Sequence, residues 1–285
     1  MNMRNRLSPR ATHASDAFLD ARNYWETRLR EHPGLCGVGN TCLGRSYIEW
    51  LYKVRRAVFL RLLSSLRIDY RTAQVFDVGS GTGFYLELWK EMGASGVTGC
   101  DLTEIAVDRL RSALPWARTL RLDIGAPLPE SELGRYDIVS AFDVLFHIVE
   151  QQRYEQAIRN ASGLLRPGGL FLFSDLLPRN GGGQAEHVAW RPLQEVTALL
   201  ARAGFEVVCR VPMFVVMEEP LDATSLWYRL LWKVLTYPVK HSEFAGFVIG
   251  GILYPLELML TRVFTESPST EIIVCRRHDR EVLGQ

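Results

Sequence analysis

Residues 75–84 read Val-Phe-Asp-Val-Gly-Ser-Gly-Thr-Gly-Phe. The apolar run suits a buried parallel strand, and the alternating glycines that close it make the chain turn at once into the amphipathic stretch that follows. Glycines at 79, 81 and 83 let a ligand approach the backbone with no Cβ between, while a helix starting behind them aims unpaired N–H groups into the same space. A strand, loop and helix of this shape hold nucleotide cofactors. The next strand ends Gly99-Cys100-Asp101, placing a carboxylate where it can accept both hydrogen bonds of a ribose diol. Its structural alternative is to cap the helix that starts near Thr103.

From residue 75 onward, short apolar strands (75–78, 97–101, 119–123, 138–142, 169–174) alternate with helical patterns (84–92, 104–114, 152–165). That alternation predicts an α/β fold, a parallel sheet with helices on both faces and ligands held beyond the carboxyl ends of its strands. A turn-rich stretch, 175–184, leads to a helix at 193–203, a strand at 205–211 and a last strand at 271–276. Upstream, Phe18, Tyr24, Trp25 and Leu29, then Trp50, Leu51, Val54, Val58, Leu62 and Leu66, recur at helical spacing. The glycines and proline of 32–40 between those two helices argue for an ordered turn or a hinge. The chain thus divides into an N-terminal helical cap (1–70), a core (71–220), an apolar helical insertion (221–265), and a last strand with its tail (266–285).

Downstream of the glycine loop come Arg121-Leu122-Asp123-Ile124, then Tyr136-Asp137-Ile138-Val139-Ser140-Ala141-Phe142-Asp143-Val144-Leu145-Phe146-His147, then Leu164-Leu165-Arg166-Pro167-Gly168-Gly169-Leu170-Phe171-Leu172-Phe173. In that order and at those separations they resemble the successive motifs of class I S-adenosylmethionine-dependent methyltransferases of the small-molecule type, over residues 70–210 plus the last strand. The resemblance implies a Rossmann-like, seven-stranded, mostly parallel sheet whose last strand runs antiparallel between its neighbours. It also implies S-adenosyl-L-methionine as cofactor, held by Asp77, Gly79, Ser80, Gly81, Gly83, Asp101, Leu102, Asp123, Ile124 and Phe142. Asp77 either helps fix the amino group or caps the glycine turn. Asp123 either accepts from the adenine amine, with Leu102 and Ile124 against the ring, or forms the turn before Gly125. A nicotinamide dehydrogenase would share the glycines and Asp101, but hydride transfer gives the Asp123, Phe142 and 166–169 segments no required role.

Methyl transfer from a cationic sulfur is an in-line displacement that needs alignment and desolvation, and a base only where the acceptor must lose a proton. The candidate bases are His147, one helical turn after Asp143, and His187, with Glu186 beside it. Phe146 and Ile148 give His147 a packing role as its alternative. Tyr24, Trp25, Arg45 and Tyr47 resemble the groups that family members fold over the cofactor, with core packing the plainer reading. The six histidines lack metal-ligand spacing.

A net charge of +1, without basic runs interleaved with aromatics, disfavours a nucleic-acid substrate. Five cysteines, with no Cys-x-x-Cys pair and one left over under any full pairing, fit reduced thiols in the cytoplasm. The first ten residues carry positive charge with no apolar stretch after them and read as a frayed tail rather than a secretory signal. Within the insertion, Trp227-Tyr228-Arg229-Leu230-Leu231-Trp232 precedes an apolar run over 244–256 that glycine and proline make too short and broken to span a bilayer, which takes about 20 residues. The insertion is a cap or dimer interface, a lid over a hydrophobic substrate, or an interfacial membrane contact with Arg229, Lys233, Lys240 and Arg262 at the headgroups. The expected activity is O-methylation of a small lipophilic acceptor. Its alternatives are transfer to carbon or nitrogen, methylation of a protein or RNA, and a non-methylating scaffold or cyclase on the same fold.

Overall fold

The computed structural model describes residues 14–39, 43–179, 181–185 and 187–278, with side chains described from Ala21 onward. The expected tail at 1–10, the side chain of Phe18, Cys42 and the candidate Glu186 lie outside the described residues. Three helices, α1 (Ala14–Glu31), α2 (Leu35–Val38) and α3 (Arg45–Ser65), precede the sheet. Then follow β1 (Gln74–Val78), α4 (Phe84–Glu91), β2 (Gly96–Asp101), α5 (Glu104–Ala113), β3 (Arg118–Arg121), β4 (Tyr136–Phe142), α6 (Gln151–Leu164) and β5 (Leu165–Asp175). The chain continues through β6 (Gly183–Ala185), β7 (Val188–Trp190), α7 (Leu193–Arg202), β8 (Phe205–Pro212), α8 (Leu226–Val239), α9 (Glu243–Val263) and β9 (Glu271–Arg277).

The seven-stranded sheet has the order β3-β2-β1-β4-β5-β9-β8, with β9 antiparallel to both neighbours and the first five strands parallel. The chain winds outward from β1 to β3, then returns to add β4 on the other side. The crevice beyond β1 and β4 is therefore the switch point where such sheets take ligands. Strand pleating divides the core between the two faces. Leu170, Leu172, Ile272 and Val274 pack with α3 and α4, while Phe171, Phe173, Ile273 and Cys275 pack with α6 and α7.

Three expectations change. The 32–40 stretch contains the short helix α2, and the stretch after β5 contains the β6–β7 hairpin, which three successive glycines hid. The run expected to be broken by glycine and proline is the continuous 21-residue helix α9, long and apolar enough by length and composition to cross a membrane. Pro255 forfeits one backbone bond without ending it. Close packing explains the glycines. A Cβ on Gly250 would stand 2.3 Å from Trp50 of α3, so this glycine sets the approach of the two helices. Two turns on, the buried Glu257 carboxylate accepts from the backbone N–H groups of Val215, Val216 and Met217, which anchors α9 to the chain leaving β8.

Candidate functional site

The loop from β1 to α4 has all three glycines at positive φ, +67° at Gly79, +50° at Gly81 and +86° at Gly83. A Cβ on Gly79 would meet Val144 at 2.3 Å, and one on Gly83 would meet Leu114 at 2.6 Å. The first glycine thus lets the loop pass under the segment after β4, and the third lets α4 settle on α5. Ser80 ties the loop down: its N–H donates to the Cys100 carbonyl at 2.9 Å and its hydroxyl to the Asp77 carbonyl at 3.0 Å.

Gly79, Ser80, Gly81, Asp101, Leu102, Asp123, Ile124, Phe142 and His147 all line one cleft at the carboxyl ends of the strands. Asp77, Gly83 and His187 are not among its lining residues. Asp77 lies beneath the loop, where Ser140 Oγ donates to its carboxylate at 2.6 Å and is itself held by Trp89 Nε1 at 3.0 Å. Burial pushes the Asp77 carboxyl up to about 7, against the hydrogen bonds from Ser140 and Ser80.

Asp101 is 8% exposed and makes no ion pair among the described residues. It is held instead by donors: Gly81 N–H on Oδ2 at 3.0 Å, and Thr103 N–H and Oγ on Oδ1 at 2.9 and 2.7 Å. Burial raises its pKa against those bonds. Thr103 itself is the helix cap, accepting from Ala106 N–H, so the capping alternative falls to the neighbouring residue. Asp123 is already engaged: Gly125 N–H donates to Oδ1 at 2.9 Å and Arg153 pairs with Oδ2. The Gly125 bond is that of its turn-forming alternative, and the Arg153 pair ties the turn to α6.

At the β4 end the cleft is walled by Phe142, Tyr85, Phe84 and Tyr52, with Tyr85 stacked on Phe142 at 4.1 Å. The next residue, Asp143, is the one non-glycine with positive φ among the described residues, at +59°. Ser174 holds that conformation, accepting from Asp143 N–H at 2.8 Å and donating to Oδ1 at 2.9 Å, and Arg55 of α3 reaches Oδ2 at 2.5 Å. Arg55 also lies 3.5 Å from Glu218, forming a buried cluster under the cleft that sequence reasoning missed. Burial opposes the Arg55 charge, and Asp143, Tyr85, Glu218 and Tyr52 together more than restore it.

The two candidate histidines stack 5.8 Å apart, and only His147 lines the cleft. The expectation that His147 projects from a regular helix is corrected: it ends a single 3-10 turn, Leu145–His147. Its Nδ1–H donates to the His187 carbonyl at 2.9 Å, leaving the lone pair on Nε2. Burial pushes its pKa down to about 4, partly offset by that bond. His187 sits behind it, stacked on Tyr24 at 4.5 Å.

The cap closes the cleft through Ala21, Trp25, Leu29 and Val38. Arg28 straps α1 to α2 by donating to the carbonyls of Gly37 and Gly39 and to Tyr24 Oη. Of the four cap residues singled out from sequence, Trp25 lines the cleft and packs edge-on against His147. Tyr47 is buried, donating to the Met217 carbonyl, and Arg45 is exposed beside Glu49. Asn160 was also missed. It holds the strand-to-loop turn after β3 by donating to the carbonyls of Ile124 and Ala126.

Residues 75–169 match the family described as methyltransferase domain. The ubiquinone biosynthesis O-methyltransferase of Coxiella burnetii is 29% identical over 140 residues, covering 45% of this chain and 57% of the relative. The tRNA U34 carboxymethyltransferase of Azotobacter vinelandii is 30% identical over 178 residues, 55% of this chain and 53% of its own length. The chain thus spans little more than half the length of the curated relatives it matches. Among solved structures, magnesium protoporphyrin IX methyltransferase from Synechocystis PCC 6803, with bound S-adenosylmethionine, superposes with a TM-score of 0.56 at 15% identity, over 94% of this chain and all of that one. The motifs, the glycine cradle at the switch point and the sheet order agree with the family match: residues 75–169 are a methyltransferase domain, set in the fold that class I S-adenosylmethionine-dependent methyltransferases share.

Proposed function

We propose that this chain transfers a methyl group from S-adenosylmethionine to an oxygen of a small lipophilic acceptor. The observation that carries the reading is one cleft holding both halves of the requirement: a buried carboxylate, Asp101, with donors but no cation, beside a glycine cradle, and an aromatic wall at the β4 end. A buried charge without a partner ion is costly, and the hydroxyls of a ribose diol would supply the missing donors. When bound, the cofactor supplies a methyl group on cationic sulfur.

The chain's own residues do the rest. The loop backbone and Asp101 orient the cofactor, and Leu102 and Ile124 pack on its base. Trp25 and Val38, with the aromatic wall, exclude water, so that the acceptor meets the methyl carbon in line. His147, kept neutral by burial, takes the proton of a hydroxyl acceptor through Nε2, and His187 positions it through its carbonyl. The C. burnetii relative, named for O-methylation in ubiquinone biosynthesis, supports an oxygen acceptor on a greasy molecule. The net charge of +1 speaks against following the tRNA-acting relative.

Titration calorimetry with S-adenosylmethionine, S-adenosylhomocysteine and NADH tests the cofactor half. Binding of both sulfur compounds without NADH is expected, and NADH binding alone would overturn it. Release of S-adenosylhomocysteine only when a lipophilic phenol or alcohol is added is the expected second result. Cofactor binding with no release across such acceptors would favour a scaffold or cyclase.

A further inference from the structure

Helices α8 and α9 each bury one stripe and leave the opposite face apolar. On α8, Trp232, Thr236 and Val239 are buried, while Leu226, Trp227, Leu230, Leu231, Val234 and Tyr237 are exposed. On α9, Gly246, Gly250, Glu257 and Thr261 are buried, while Phe244, Phe247, Ile252, Met259 and Val263 are exposed. Trp227 is 80% exposed and Phe244 77%, so these are whole rings in water rather than edges of a core. The helices touch and are joined by three residues, so their outer faces adjoin. Exposed apolar surface of this extent marks a contact with something else.

Charge decides between occupants. The three acids of this region all serve the fold: Asp222 pairs with Arg179, Glu243 accepts from the backbone N–H of Arg45 and Ser46, and Glu257 is buried. Its four cations, Arg229, Lys233, Lys240 and Arg262, form no ion pair with a carboxylate among the described residues. Two copies meeting through these faces would set cation against cation, with no acid left to answer. An anionic headgroup layer answers all four, while the Trp, Tyr and Phe rings enter the acyl boundary beneath it.

We propose that the outer faces of α8 and α9 dock this chain on the surface of a bilayer containing anionic lipid. The docked helices lie in the interface rather than crossing it, although α9 has the length to span. Its inner stripe is committed to Trp50 and to the backbone of residues 215–217, which a crossing would strip of partners. The inference stands on this surface alone and does not depend on which acceptor the cleft takes.

Flotation of the full chain with phosphatidylcholine vesicles, with and without phosphatidylglycerol, tests it. The chain should float with the anionic vesicles and be released by high salt. Trp227→Ser with Phe244→Ser should lower the bound fraction roughly tenfold or more with an unchanged thermal melt, and Lys233→Glu with Lys240→Glu should do the same through charge alone. No flotation with anionic vesicles, or flotation indifferent to both variants, overturns the proposal. A concentration-dependent dimer that Trp227→Ser with Phe244→Ser abolishes would then assign the face to a second copy.

Discussion

Helices α6 and α9 solve the same packing problem and finish it differently. In α6, Tyr154, Ala157, Ile158 and Ala161 are buried against the sheet, and Gln151, Gln152 and Arg159 are left to water. In α9 the inner stripe is built from glycine, threonine and a glutamate, and the outward residues are Phe244, Phe247 and Ile252. Folding alone accounts for every position of α6, because its apolar residues are where the core is. In α9 the fully buried positions are small or polar, Ile249, Leu253 and Tyr254 pack beside them, and the most exposed positions are large and apolar, so folding accounts only for the inner half. A helix can be well anchored and still carry a face selected for something other than stability.

The inner half should be the most sensitive. Gly250→Leu would drive a side chain into Trp50 and is expected to cost about 3 kcal/mol in urea denaturation. A loss of under half that would mean that α9 rests on α3 more loosely than its glycines indicate. In the cleft, Asp101→Ala is expected to weaken S-adenosylmethionine binding by roughly 1.5–3 kcal/mol in calorimetry through lost charge-assisted hydrogen bonds. Unchanged affinity would remove Asp101 from the site.

His147 gives the core a pH signature. Its folded pKa of about 4 lies below the ordinary histidine value, so the folded state binds fewer protons than the unfolded chain between the two. The stability this represents is fully present above about 6.5 and is lost as pH falls toward 4, by roughly 2 kcal/mol between pH 7 and pH 5. In denaturant melts at those two pH values, His147→Gln should lose correspondingly less than the parent; equal losses would place the histidine in contact with solvent. The smallest effect belongs to the outer half: Ile252→Ser should change stability by no more than about 0.5 kcal/mol. A large loss there would show that the face is core after all and erase the contrast with α6.

The parts of this molecule legible in sequence are those in which neighbouring residues supply the cause. The glycine loop, Asp101 at its strand end and the alternating helices and strands all follow from local pattern. The Arg55 cluster does not, because Arg55 and Glu218 are 163 residues apart and nothing near either predicts the other. The same holds for Asp143, whose left-handed backbone depends on Ser174 across the sheet. The β6–β7 hairpin was hidden by glycines that usually read as loop. The glycines of α9 look like helix breakers in sequence because the aromatic ring that needs their space lies on another helix. Asp77 is a ligand candidate by its place beside the loop, and only the Ser140 bond shows it working underneath.

The antiparallel setting of β9 has a consequence for how this fold can vary. Pro212 at the end of β8 is paired with Glu271 at the start of β9, and Glu271 with Asp175 at the carboxyl end of β5. Everything between β8 and β9, both long helices included, is therefore one hairpin excursion whose two feet stand side by side on the cofactor edge of the sheet. Closing a loop costs little more as the loop lengthens. The excursion works as an exchangeable graft: a chain of this fold can acquire, trade or discard it without shifting the register of a single strand, and any graft emerges beside the reacting edge.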